Sequence, residues 1–208
     1  MLQSYHRQIC QRALENIFSP KALERIIVAN LGQDHIRYQY GHPHFHYDDN
    51  AFDASDAYIE AQRQIVLDAL TEKMDPMPAW LAFGRLTHAA QDFYAHSNYV
   101  HLWMKTRPEG ELSDPPDVEA LATDILHHPD LKSGKVNLWD WLAFVPGFYS
   151  LAYRLAPEDS HTHMNLDSPK QGGLFPYAFE AAVKRTRYEF DQLAVQLSPD
   201  QLARFTEH

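Results

Sequence analysis

From Ala79 to about Lys105 the chain carries a single glycine, Gly84, no proline, and apolar residues at helical spacing. Inside that stretch His88, Asp92 and His96 recur every fourth residue. At about 100° per residue, each step of four turns the direction by only about 40°, so all three share one face of a helix. Gly84 and Leu81 lie on the same face, which therefore looks inward at its N-terminal end. A buried face that carries two imidazoles and a carboxylate must satisfy them, either with a polar seam to neighbouring helices or with a divalent ion. Imidazole nitrogen and carboxylate oxygen are ordinary zinc donors.

The rest of the chain reads as helix too. Ser4 is placed to cap a first helix with Ile9, Ala13, Leu14 and Ile17 on one face, and Ser19-Pro20 opens a second from Lys21 to Leu31. A polar, histidine-rich loop runs from Gly32 to Asp53; Ser55 then caps a helix to about Met74, and Pro76 and Pro78 break and restart the chain. Proline-rich breaks at Arg107–Asp117 and His128–Gly134 flank a short helix containing Val118–Leu126. Trp139–Ala156 reads as a buried, kinked helix, with its apolar part Trp139–Tyr153 taken as core in preference to a groove for acyl chains. The loop Pro157–Gly173 precedes a long helix from Pro176 to Leu197, and Ser198-Pro199 starts a last turn or two. No strand alternation, hairpin dipeptide or internal repeat stands out. The expectation is an all-α, single-domain multi-helix bundle spanning 1–208.

Composition narrows the function. A length of 208 residues suits one domain with a proper core, and 22% charged residues is ordinary for a globular surface. The net charge of −10 argues against a nucleic-acid partner and against adhesion to anionic membranes by charge alone. Cys10 stands alone and forms no internal disulfide. The N-terminal residues show no secretory signal and the apolar stretch Trp141–Leu155 is too short and broken to span a bilayer, so the expected location is cytoplasmic, or secreted if a leader has been removed.

Histidine is the unusual component, at 13 residues. Beyond the helix, His161-Thr162-His163-Met164-Asn165-Leu166-Asp167 repeats the His-x-x-x-Asp spacing at His163 and Asp167. The loop His42-Pro43-His44-Phe45-His46-Tyr47-Asp48-Asp49-Asn50 follows Asp34-His35, and His6 sits on the first helix. Each alone reads as a solvated loop or an ordinary surface histidine; the set is what points to metal.

Taken in order, these segments resemble a known superfamily. Gly84-Arg85-Leu86-Thr87-His88-Ala89-Ala90-Gln91-Asp92-Phe93-Tyr94-Ala95-His96-Ser97-Asn98-Tyr99 looks like the core motif of the fungal heterokaryon-incompatibility protein C group, which is related to the zinc-dependent phospholipases C and the single-strand zinc nucleases. Tyr5-His6-Arg7-Gln8-Ile9 resembles their N-terminal Thr-His-x-x-Ile element, and Arg25-Ile26-Ile27-Val28-Ala29-Asn30 with Asp34 the helix end that carries an aspartate ligand. Phe45-His46-Tyr47-Asp48-Asp49-Asn50 is similar to a His-Phe-Asp loop, and His163 with Asp167 to a closing His-x-x-x-Glu. The chain departs from the phospholipases in the closer spacing of His96 to Asp92, in Asp167 where Glu is expected, and in lacking the N-terminal tryptophan whose amine and carbonyl bind zinc.

The resemblance implies a helical bundle of the zinc-dependent phospholipase C type with two or three zinc ions held by His6, Asp34, His46, His88, Asp92, His96, His163 and Asp167. In that reading Asp92 bridges two ions between His88 and His6, His96, His163 and Asp167 hold the remaining one, and Asp34 orients the attacking water, making Asp34 and Asp92 the catalytic pair. Such ions lower the pKa of water and neutralise phosphate oxygens. The implied activity is phosphoester hydrolysis of the phospholipase C kind, on a phospholipid or another phosphodiester, with transient contact at a membrane surface. Two alternatives stay open: a non-enzymatic interaction or membrane-perturbing protein with a structural metal site, and a zinc nuclease or phosphatase. No adjacent His-Asp pair occurs, which disfavours phosphohydrolases of that type.

Overall fold

A computed structural model describes residues 1–39, 41–72, 74–108, 114–143, 145 and 147–207. Helices run α1 (Gln3–Leu14), α2 (Pro20–Leu31), α3 (Ile36–Gln39), α4 (Phe52–Glu72), α5 (Met77–His96) and α6 (Tyr99–Lys105). They continue through α7 (Thr123–Leu126), α8 (Leu138–Ala143), α9 (Tyr149–Leu155), α10 (His161–Met164), α11 (Phe175–Ala194) and α12 (Pro199–Thr206). Among the described residues there are no strands, only isolated bridges at Ser97–Ser133 and Lys135–Ser160. The protein is an all-helical, multi-helix domain.

Helix α5 is the axis of the bundle, packed on α2, α4 and α11. From Ala79 to His96 only Leu81 and Arg85 are not buried. Small residues make this enclosure possible. A Cβ on Gly84 would run into the Ile26 carbonyl and stand 2.7 Å from Ala29 Cβ and 2.9 Å from Asn30 N. That close crossing lays the C-terminal end of α2 against α5, and the turn carrying Asp34 follows directly.

Polar ties fasten the surrounding helices. Buried Glu189 on α11 accepts from Arg63 on α4 at 2.7 Å and from Arg185 at 2.6 Å, so a charge taken out of water is matched by two guanidiniums. Trp80 Nε1 donates to the Phe205 carbonyl at 2.7 Å, holding α12 against the start of α5.

Several expected boundaries are met for the expected reason. Ser19 Oγ accepts from Ala22 N at 3.1 Å with Pro20 in the first turn, and Ser198 with Gln201 forms a capping box ahead of α12. Elsewhere tertiary structure overrides local signals. Helix α1 starts at Gln3 with no side-chain cap, so Ser4 lies inside it. Helix α4 starts at Phe52, and Ser55 Oγ donates back to the Ala51 carbonyl at 2.9 Å instead of capping. The expected end of α4 near Met74 falls by residue 73, which lies outside the described residues, as does 109–113 in the first proline-rich break.

Two differences are larger. The long helix expected to reach Lys105 stops at His96: Ser97 is extended, its hydroxyl bonds the Phe93 carbonyl at 2.5 Å, and Asn98 exchanges bonds with the distant 130–132 segment. In place of the expected buried helix over Trp139–Ala156 there are two short helices, and in and beside them Leu138, Phe148, Leu151, Tyr153 and Leu155 are exposed while Ala152 is buried. Residues 144 and 146 of that stretch lie outside the described residues.

Candidate metal centre

Helix α5 delivers His88, Asp92 and His96 from one face, and four other segments close around them. His88 and Asp92 are wholly buried, and His96 nearly so. Helix α1 brings His6, the turn after α2 brings Asp34, the loop before α4 brings His46 and Asp48, and the region of α10 brings His161 and Asp167.

The donors gather in three overlapping groups around Asp92 and His96. In the first, Asp92 Oδ2 lies 2.9 Å from His46 Nδ1 and 3.0 Å from His88 Nε2, the two nitrogens are 3.1 Å apart, and Asp34 Oδ1 stands 3.7 Å from His88 Nε2. In the second, the other oxygen, Asp92 Oδ1, is 3.1 Å from His6 Nε2 and 2.6 Å from the amino group of Met1. In the third, Asp167 Oδ1 is 3.2 Å from His96 Nε2, and Asp167 Oδ2 is 3.7 Å from His161 Nε2.

These separations suit a metal. Donors about 2.0–2.1 Å from a tetrahedral zinc lie about 3.3 Å from one another. Several buried atoms here also find no hydrogen-bond partner, among them His6 Nε2 and Asp34 Oδ2. Buried polar atoms left unmatched are costly, and a cation removes the cost for lone pairs that converge. Buried His/Asp groups of this protein can therefore hold a metal ion.

The tautomer of His6 is prepared by its neighbours. Gln91 Nε2 donates to Thr186 Oγ1 at 3.0 Å and to Cys10 Sγ at 3.4 Å, which leaves Gln91 Oε1 to face His6 Nδ1 at 2.6 Å. With Nδ1 the donor, His6 Nε2 presents a lone pair toward Asp92, the arrangement that metal-ligating histidines commonly show.

Charge is unevenly distributed. Burial opposes ionisation of Asp92 and Asp167, yet the Met1 ammonium and the surrounding histidines hold both carboxyls well below their usual range. Burial drives His88 down to about 4 in spite of Asp92, so it is neutral and ready to donate a lone pair. Burial acts the same way on His161, but the charges of Asp48 and Asp167 outweigh it and lift the imidazole well above its ordinary value. The Met1 ammonium, buried but beside Asp167, Asp92 and Asp34, is pushed up to about 11.

A cleft opens onto this cluster, lined by Met1, Leu2, Gln3, Asp34, Gln39, His46, Asp48, His96, Val136, Asp140, His161 and Asp167. Neither Lys nor Arg lines it among the described residues. An anionic group entering the cleft meets no side-chain cation other than a protonated histidine.

Seven of the eight residues expected at the site converge on it: His6, Asp34, His46, His88, Asp92, His96 and Asp167. His163 does not. Its Nε2 donates to the Tyr153 carbonyl at 2.7 Å and its ring lies 4.1 Å from that of Tyr153. Helix α10 ends at Met164 and Asn165 is extended, so the His-x-x-x-Asp spacing is no longer a helical one by the time the chain reaches Asp167. His161 takes the place instead. Asp48, two residues beyond His46, also faces the centre; no periodicity in an irregular loop marks which side chains face inward. His42 and His44 stay off the centre, with His42 stacked 4.9 Å from Phe45. The amino group of Met1 lies 3.0 Å from Asp167 and 3.2 Å from His96 Nε2.

No curated protein and no solved structure matches the chain. A family model, that of the VWA7 N-terminal domain, matches residues 6–125, a span that begins at His6 and takes in every site residue through His96. That span is more than half of the 208 residues, and the chain belongs to the VWA7 N-terminal domain family.

Proposed function

We propose that the cluster binds two or three zinc ions and that the protein is a metal-dependent phosphoester hydrolase, phospholipase C-like in its chemistry. The observation that carries this reading is the two-sided use of Asp92: one oxygen faces His6 and the other faces His46 and His88. A carboxylate so flanked is suited to bridge two cations. Zinc ions bound there supply a lowered pKa for water and positive charge for phosphoryl oxygens. The protein's own part is to hold the donors and to admit substrate. Asp34, which reaches the cleft with one buried oxygen unpaired, is suited to orient an attacking water by accepting its proton. With no Lys or Arg in the lining among the described residues, the bound ions and the Met1 ammonium are left to meet the charge of a phosphodiester.

The full burial of His6, His88 and Asp92 favours a second reading, in which the inner ions are structural and the protein acts by interaction. Hydrolysis of a nitrophenyl phosphocholine by zinc-replete protein, abolished by chelator, supports the enzyme. Zinc-replete protein that hydrolyses no choline, inositol or nucleotide phosphodiester overturns it and leaves the structural reading.

A further inference from the structure

We propose that Asp48 is a positioning residue for the outermost metal position: it accepts Nδ1–H of His161 and so turns the opposite nitrogen, Nε2, toward Asp167 as a metal donor. This rests on the metal-binding reading above and adds to it a residue that does not itself touch the ion.

The geometry separates ligand from support. Asp48 Oδ1 is 2.9 Å from His161 Nδ1 and 3.5 Å from His96 Nδ1. His96 Nδ1 has its own acceptor, the His46 carbonyl, at 2.8 Å. Both outer imidazoles thus spend Nδ1–H on protein oxygens, and both present Nε2 to the carboxylate of Asp167. An ion placed on Asp48 would have to break the Nδ1–H bond of His161; an ion placed among the Nε2 atoms and Asp167 displaces the Met1 ammonium and the Nε2 proton of His161 but leaves both Nδ1–H bonds intact.

The support is built by the backbone. Tyr47, between His46 and Asp48, takes a left-handed conformation at φ 54°, and its buried side chain bonds Asp56 on α4. The residues on either side of it both line the cleft. Asp49 N donates to the Gly134 carbonyl at 2.9 Å, and Asn50 exchanges bonds with Ser133 at 2.7 and 2.8 Å. The same segment continues to Lys135, whose carbonyl accepts from His161 N at 2.9 Å. Asp48 and His161 are therefore held in register through one shared stretch of chain. A Cβ on Gly134 would stand 2.6 Å from His161 Cα, so the segment approaches as closely as it does only because it has none.

The test compares Asp48→Ala, Asp48→Asn and Asp167→Asn in the full chain, with zinc as the probe. Competition against a chromophoric chelator reads the weakest zinc, and long-range proton–nitrogen spectra of the zinc-loaded protein read which His161 nitrogen is metal-bound. The expected result is weakening by about 10–100-fold in Asp48→Ala. Asp48→Asn, which keeps an acceptor oxygen and guards against a merely misfolded variant, restores most of the affinity and leaves His161 bound through Nε2. Asp167→Asn loses the outer ion. Loss of that ion from Asp48→Asn, with His161 of the zinc-loaded wild type bound through Nδ1, overturns the proposal, because Asp48 is then a ligand. Zinc-replete wild type with an unchanged Asp48→Ala variant overturns the role of Asp48 alone. Wild-type protein that takes up no zinc overturns the metal reading on which the role depends.

Discussion

His46 Nδ1 stands 3.1 Å from His88 Nε2, and Asp92 Oδ2 lies within 3.0 Å of both. His46 belongs to an irregular loop and His88 to the most buried helix of the protein, so the approach is a product of the fold. Without a metal, one imidazole N–H serves two acceptors at once; with a metal, three lone pairs share one cation.

Metal content should follow the bridge. At least two divalent ions per chain are expected by elemental analysis of protein prepared without chelator. Asp92→Asn should lower that content more than His42→Ala or His44→Ala, and should lower the thermal midpoint of the loaded protein as well. Equal losses from the three variants would show that the bridge is elsewhere.

His161 and His163 separate cleanly. His161→Ala should reduce zinc stoichiometry by the outer ion, whereas His163→Ala, whose ring rests on Tyr153, should leave it unchanged. Titration of both variants with zinc decides between them.

Asp34→Asn should cost more in rate than in metal. Asp34 stands 3.7 Å from His88, farther than the 2.9–3.1 Å that separates His46, His88 and Asp92 from one another, so the ion keeps its other donors. A fall in phosphodiester hydrolysis of about 100-fold or more, with zinc content nearly kept, is the expected outcome. Parallel loss of metal and rate would mark Asp34 as a ligand only.

At the crossing of α2 and α5, Gly84→Ala should destabilise the protein by about 1–3 kcal/mol through overpacking against Ile26, Ala29 and Asn30. Chemical denaturation measures this. Because the crossing also sets the turn that carries Asp34, zinc affinity should fall with it.

Zinc binding should strengthen as pH rises. The folded-state pKa of His161 lies above its ordinary 6.5, held there by Asp48 and Asp167 against burial. In metal-free protein its stabilising charge is fully present below 6.5 and is lost as pH rises through the raised value. Zinc must displace that proton, so affinity measured between about pH 6 and pH 9 should climb. Titration in buffers of different ionisation enthalpy should show proton release; an affinity flat with pH would mean that His161 is not a ligand.

What the sequence determined by itself is whatever depends on a few neighbouring residues. The placing of His88, Asp92 and His96 on one face follows from helical geometry alone, and the openings of α2 and α12 follow from serine caps ahead of proline. The tertiary structure decided the rest. Helix α5 ends at His96 because Asn98 finds its partners in the 130–132 segment. The outer histidine is His161 because its backbone is tied to Lys135 and its ring to Asp48, while His163 falls to the other side of a single helical turn. Leu138, Phe148, Leu151, Tyr153 and Leu155 around α8 and α9 are exposed although their composition reads as core. Periodicity reports only which residues share a face; what that face meets depends on hydrogen bonds and packing between segments far apart in the chain, and those exist only once the chain has folded.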